Sequence, residues 1–326
     1  VRIFPTASLT KKNKGRKMTE IGFLHQGGAV AFTDGFNSIP NTKTFRTILK
    51  YASDFDTLII GHPQDHFLTQ NASASSGVFA SIKGLSSSPD FAEKIGIERD
   101  TALISTLNIR YHADQVTTKI GLDVLRDVKA TNNRITAGTS IHHLLFNELD
   151  IGNYRTFFKL KPPLRSNADR EALTEAIREG LIDNICSMHT PQDEESKRLP
   201  FEEAAPGAVG HETILPGSLS LYHNKVLTLN QIFRLLAFNP AKIIKKKLMD
   251  ETIKTTEIQV DLTINIIDIA TSQIIFSDNI LGSFMEPSTL TLMSMVPVIC
   301  SSIKSMLFLN SVPFLKKLAI LTSTLR

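Results

Sequence analysis

Five times between residues 28 and 190, a short apolar run closes on polar residues and is followed by an amphipathic helical pattern. The runs are GAVAFTD (28–34), TLIIGHPQD (57–65), IRYHADQVT (109–117), RITAGTSIHH (134–143) and NICSMHT (184–190). The helical stretches are 41–55, 89–108, 119–132, 167–183 and 227–244, the last interrupted at Asn239–Pro240. In 41–55, Phe45, Ile48 and Leu49 share one face and Asn41 stands where an N-cap belongs. Ser166 or Asn167 has that place in the fourth stretch. Strand, polar strand end and helix in strict alternation require a parallel sheet, because only a crossover helix returns the chain to start a parallel neighbour. A strand DLTINIIDI (261–269) follows outside this rhythm.

The polar residues gather at the carboxyl ends of the strands, where (β/α)8 barrels place their sites. Too few units are visible for a full eight, so a barrel incomplete at its N-terminus is expected. The chain opens on Val1, and VRIFPTASLTKKNKGRK has no signal-peptide apolar region, so further sequence is expected upstream. With 326 residues, 42% of them apolar, the chain can bury a sizeable core. A net charge of +4 spread along the chain gives no footprint for nucleic acid. Cys186 and Cys300 read as reduced thiols of a cytoplasmic protein. From about residue 285 the chain loses this pattern, and residues 287–303 carry no charge. Pro287, Pro297 and several Ser and Thr argue against a membrane span there. The tail reads as an irregular apolar ending or as the product of a shifted reading frame.

Asp34, His62, His112 or Gln115, His142, His143 and the pair Met188–His189 fall at strand ends. Carboxylates and imidazoles at a barrel mouth suit zinc, which catalyses through an open coordination position that holds water. Taken singly, each histidine reads better as a packed core side chain, and Asp34 as a turn residue before Gly35. The set says more than its members.

The order of motifs resembles the dihydroorotases of the amidohydrolase superfamily. The resemblance runs from Val1 to about Gly282. It rests on FPTASLT, MTEIGFLHQGGAVAFTDG, GHPQD, PDFAEKIGIERD, RYHADQVTT, TSIHHLLFNE, FKLKPPLRSNADR, SMHTPQDEESKRLPFEEAAPGAVGHETILP and VDLTINIID with IIFSDNILGS. It implies an amidohydrolase-type (β/α)8 barrel over 1–245, the remnant of a small flanking β-sandwich over 246–284, and an atypical tail over 285–326. It also implies a zinc site whose His-x-His pair lies upstream of Val1. On this resemblance Asp34 matches the bridging acidic residue and His62 a histidine ligand, with Gln64 altered beside it. Gln115 replaces a second ligand histidine, Met188 the general acid/base aspartate, Gln192 a substrate-side histidine and Lys161 an asparagine that contacts the ring.

A neutral carboxamide is a weak zinc ligand, and a thioether neither suits a zinc–carboxylate centre nor moves a proton. The residual metal positions are therefore Asp34 and His62, with no catalytic residue retained. His112 is expected to point away from Gln115, three residues along the strand. His189 replaces Met188 only if a bulge turns it inward. The expected cofactor is none, or zinc if the chain is active. The resemblance is greatest to non-catalytic members that accompany aspartate carbamoyltransferase, so the leading expectation is a structural subunit in a homo- or hetero-oligomer. The alternatives are an active zinc-dependent dihydroorotase and a truncated or frameshifted gene product. The run 192–210 reads either as a solvated loop followed by a helix or turn, or as a contact surface.

Overall fold

The computed structural model of the chain describes residues 3–107 and 109–246, and the strands 258–268 and 273–284 by their backbones. The chain divides into two units, Val1–Lys245 and Lys246–Arg326. In the first unit, β1 (Thr6–Ala7), β2 (Ala31–Phe32), β3 (Leu58–Gly61), β6 (Arg110–Ala113), β7 (Ile135–Ser140) and β8 (Asn184–Cys186) form one parallel sheet in that order. Between β3 and β6 the chain makes an excursion that holds a separate parallel ladder, β4 (Ala74–Ser75) with β5 (Ser87–Ser88). Each strand of the main sheet pairs with the one before it, as in a singly wound barrel. The result is an α/β half-barrel of parallel strands.

The strands are short and buried. Leu58, Ile59, Tyr111, Ala113, Ile135 and Ala137 join helix side chains in the core. Helix Thr42–Ala52 buries Phe45, Ile48, Leu49 and Ala52, and Asn41 caps it by accepting from the Thr44 N–H at 2.9 Å. Thr118 caps helix Lys119–Thr131, and Ser166, rather than Asn167, caps helix Asn167–Arg178. Full burial of one such Leu or Ile stabilises by about 1.5–3 kcal/mol. Helix Phe91–Ser105 departs from a simple amphipathic pattern, because it buries Glu93 and Asp100 as well as Ala92, Ile97 and Ile104. The Tyr111 hydroxyl donates to Asp100 at 2.6 Å, which fixes that helix on the outer face of β6.

All five expected strands end before their quoted stretches do, and the last two end in turns that place site residues. Ser140 accepts from the His143 N–H at 3.4 Å and starts a helical turn, Ile141–Leu145, so His142 and His143 stand on a helix. The 184–190 strand stops at Cys186, and Met188 takes a φ of +42°. The last helix is interrupted sooner than Asn239–Pro240, by a π turn over Arg234–Phe238 between Leu229–Phe233 and Asn239–Ile243. Pro240 then sits in the first turn of its segment, where its missing N–H costs nothing.

In the second unit, β9 (Ile258–Asp268) pairs antiparallel with β10 (Gln273–Phe284), with a register shift between Ile274 and Phe276. The 246–284 segment expected as a sandwich remnant contains this strand pair. The expected tail, 285–326, and Cys300 lie outside the described residues.

Candidate functional site

The carboxyl ends of β2, β3, β6, β7 and β8 carry the positions singled out in the sequence. Asp34 follows β2 and is buried. Its Oδ1 accepts from the Thr10 N–H at 2.8 Å, and its Oδ2 accepts from the Thr10 hydroxyl. Burial raises its pKa, and the two Thr10 bonds oppose that rise. His62 follows β3 and packs edge-on to Phe36. Burial first, then the charges of Lys161 and Arg165, hold its imidazole down at about 3, and its Nδ1 has no hydrogen-bond partner.

Gln115 is 2% exposed with a φ of +58°. The strand ends at Ala113, so face alternation does not reach Gln115, and the left-handed turn sets its side chain in the wall of a cavity. His112 packs below, its Nδ1 2.8 Å from the Thr136 hydroxyl, and is not among the cavity-lining residues. His143 is held at both ring nitrogens, by Ser140 Oγ at 2.8 Å and the Pro163 carbonyl at 3.2 Å. His142 lines the cavity, and its Nε2 has no hydrogen bond of normal geometry. Burial lowers its pKa, with the Ser187 carbonyl acting in the opposite sense.

The cavity is small, about 40 Å³, and opens to solvent. Phe36, Gln115, His142, Lys161 and Met188 line it, and Pro206–Ala208 form one wall. His189 turns elsewhere. Its Nδ1 accepts from the N–H groups of Gly210 and His211 at 3.2 Å each, and its ring lies 4.8 Å from that of His211. It does not take the place of Met188. Gln192 packs against Gly207 without lining the cavity itself. At Gly210 a Cβ would collide with the Ser187 carbonyl, so only glycine lets this loop close over the end of β8.

The 192–210 run is more than a solvated loop. Phe201 packs in a second core cluster with Ala74, Leu85, Ile151, Leu160 and Leu164. The buried Lys197 ammonium donates to the carbonyls of Ala205 (2.8 Å) and Thr156 (3.0 Å). Glu202 accepts from the Ser86 N–H at 2.7 Å and from the hydroxyls of Ser86 and Ser73. These anchors hold Pro206–Ala208 at the cavity.

One network was not foreseen from sequence. Glu93 is fully buried and accepts from the N–H groups of Thr117 and Thr118 at 2.8 Å each, from both threonine hydroxyls, and from Gln64 Nε2 at 2.8 Å. The Arg165 guanidinium, 3% exposed, stands 3.7 Å away and donates to Thr117 Oγ1 and Ser75 Oγ. Only the quoted motifs PDFAEK and KPPLR hinted at it.

The zinc that the resemblance implies can be tested against these residues. Both Asp34 oxygens are engaged by Thr10, a carboxamide stands at Gln115, and the Lys161 charge bears on His62. Among the described residues no three His, Cys, Asp or Glu side chains are grouped to share an ion. The residues present do not fit a zinc centre.

No protein-family model matches the chain. The dihydroorotase of Ehrlichia canis (strain Jake) is 36% identical over 240 residues, covering 73% of this chain and 53% of that protein. The dihydroorotase of Halalkalibacterium halodurans is 35% identical over 243 residues, 74% of this chain and 57% of its own length. A dihydroorotase-like protein of Pseudomonas aeruginosa is 30% identical over 244 residues, 75% of this chain and 58% of its own. The chain belongs to the dihydroorotase family. It spans about half the length of the curated dihydroorotases it matches. Among solved structures, an L-hydantoinase (dihydropyrimidinase) from Arthrobacter aurescens superposes with a TM-score of 0.62 at 22% identity, covering 74% of this chain and 59% of that one. A dihydropyrimidinase from Brevibacillus agri gives 0.56 at 14%, covering 79% and 56%. These likenesses establish the fold of the dihydroorotase-family half-barrel. No helix among its described residues is long and apolar enough to cross a membrane.

Proposed function

We propose that this dihydroorotase-family chain is a non-catalytic, cytoplasmic subunit of pyrimidine biosynthesis that assembles with aspartate carbamoyltransferase. The observation that carries the reading is Met188. It lines the cavity at the turn after β8, where the family's proton-transfer carboxylate is expected. A thioether accepts no proton at neutral pH, and general acid/base catalysis is worth about 10²–10⁴-fold. Gln115 and the Thr10-bound Asp34 support the same reading, because neither is free to serve as a strong metal ligand. The 192–210 run, anchored from beneath and bearing exposed Leu199 and Val209, is available as a contact surface.

The test is co-expression of the full-length product with the transferase. Co-elution as one large assembly, with no ring opening of dihydroorotate, is expected. Separate elution at micromolar concentration refutes the partnership, and turnover with bound zinc refutes the inactivity. The second reading, an active zinc-dependent dihydroorotase that interconverts dihydroorotate and N-carbamoyl-aspartate, draws on one observation. Relatives named dihydroorotase reach 38% identity, whereas the dihydroorotase-like protein stands at 30%.

A further inference from the structure

We propose that the face at the carboxyl ends of the strands is a self-association surface, on which the basic loop 11–17 of one copy of the chain meets the acidic run 193–203 of a second copy, and the reverse. The proposal stands apart from the transferase reading, because its test uses this chain alone.

The loop is the first observation. Lys11, Lys12, Lys14, Arg16 and Lys17 place five cations in seven residues, and all are exposed. Among the described residues only Lys11 of these has an ion-pair partner, Glu20 at 3.3 Å. The loop is built rather than loose. The Lys11 N–H donates to the Lys17 carbonyl at 2.7 Å and the Gly15 N–H to the Thr10 hydroxyl at 2.8 Å. Lys12 and Asn13 hold left-handed φ values of +60° and +55°, a region that lysine disfavours. Cations fixed this close repel one another, and an anionic surface laid over them relieves the repulsion.

The anionic surface is on the same molecule. Asp193, Glu194, Glu195 and Glu203 are exposed, and Arg198, paired with Glu194 and Glu195, is the one exposed cation among them. Lys197 is buried and donates to carbonyls, so it adds nothing to that surface. The strands β1 and β8 are the two edges of the six-stranded parallel sheet. The basic loop follows the carboxyl end of β1 and the acidic run that of β8, so the poles stand on one face at opposite sides. A two-fold axis lying in that face sets each pole over the opposite pole of the second copy, and both contacts form together. A foreign anionic partner covers the loop alone and leaves the acidic run unpaired.

Apolar surface lies between the poles. Phe67, 71% exposed, stands on the turn after β3, and Leu149 (64%) and Phe157 (73%) follow β7. An apolar centre with a charged rim is the anatomy of a protein interface. The loop has no aromatic side chain on which a nucleic-acid base could stack.

Sedimentation velocity of the full chain tests the proposal. A dimer is expected at about 50 mM salt, weakened severalfold by about 500 mM. Lys12→Glu with Arg16→Glu weakens dimerisation at least about tenfold, Lys14→Glu with Lys17→Glu does the same, and so does Glu195→Lys with Glu203→Lys. Mixing a loop variant with the acidic-run variant restores the dimer, because reversed poles then face each other and so do untouched ones. These side chains are exposed, and unchanged melting temperatures confirm that each variant folds. A chain still monomeric at about 100 µM, dimerisation indifferent to the substitutions, or a mixture no tighter than either variant alone overturns the proposal. So does tight binding of oligouridine by a chain that stays monomeric, which assigns the loop to nucleic acid.

Discussion

Replacing Glu93 by alanine tests whether the Glu93–Arg165 network organises the loops around the cavity. The Glu93 carboxylate accepts two backbone N–H bonds at 2.8 Å and three side-chain bonds, and it faces a guanidinium only 3% exposed. Alanine strands the Arg165 charge and leaves the Thr117 and Thr118 N–H groups without their acceptor. Removing one partner of a buried ion pair costs about 3–5 kcal/mol. In a unit of this size each kcal/mol moves the melting temperature by about 2–4 °C, so a fall of roughly 6–20 °C is expected. Differential scanning calorimetry of the full chain measures it. Arg165→Met in the Glu93→Ala background removes the stranded charge, so the double variant recovers at least about 1 kcal/mol relative to additivity. A fall of less than about 3 °C, or strict additivity of the two changes, shows that the network is peripheral and the reasoning wrong.

Gly96→Ala places a Cβ 2.5 Å from the Pro63 carbonyl oxygen and 2.6 Å from the Gln64 nitrogen, so helix Phe91–Ser105 must move off the turn after β3. A loss of at least about 1–3 kcal/mol in urea unfolding is expected, and a neutral effect contradicts the packing. Stability falls with acid. His62, His112 and His143 are held near 3, 4 and 3 by burial, so between pH 6.5 and 4 the unfolded chain binds three protons that the folded chain does not. Asp114, raised to about 6 by burial, binds one more when folded and opposes them. Each buried imidazole contributes about 1.4 kcal/mol of destabilisation per pH unit near pH 5; burial of His142 adds to this and the raised Asp34, Asp100 and Glu148 offset part of it, and replacing His143 by Gln is expected to flatten the melting profile there. Finally, chelator is expected to leave the melting temperature within about 1 °C, since the described residues group no three ligands for an ion; a larger drop reveals a stabilising metal.

The alternation of the main strands and helices was legible where the elements carry an apolar period and a cap, whereas helices without a side-chain cap, Ile21–Gln26, Val78–Lys83 and Ile214–His223, were not anticipated. Asn41, Thr118 and Ser166 each cap the helix that follows them. The site was legible only as positions. The left-handed turns at Gln115 and Met188 fall on residues with no intrinsic preference for positive φ, so no sequence signal announces them. They nevertheless decide which side chains reach the cavity. The alternation argument about His112 and Gln115 fails for this reason, because it assumes a strand that has already ended at Ala113. Pairings such as Thr10 with Asp34, or Glu93 with Arg165, join residues far apart in sequence and become visible only once the sheet has curled.

The two cations nearest His62 separate structure from function. Arg165 is buried, faces Glu93 and donates to Thr117 and Ser75, so its charge is spent inside the scaffold. Lys161 follows the same loop four residues earlier, lines the cavity and meets no acceptor there. Fold stability requires the first arrangement, since an unpaired buried guanidinium is costly. It does not require the second, because an exposed lysine in a wall gains nothing from packing that a smaller residue would lack. Lys161 therefore stands in the same cavity wall as Met188 without being needed by the fold.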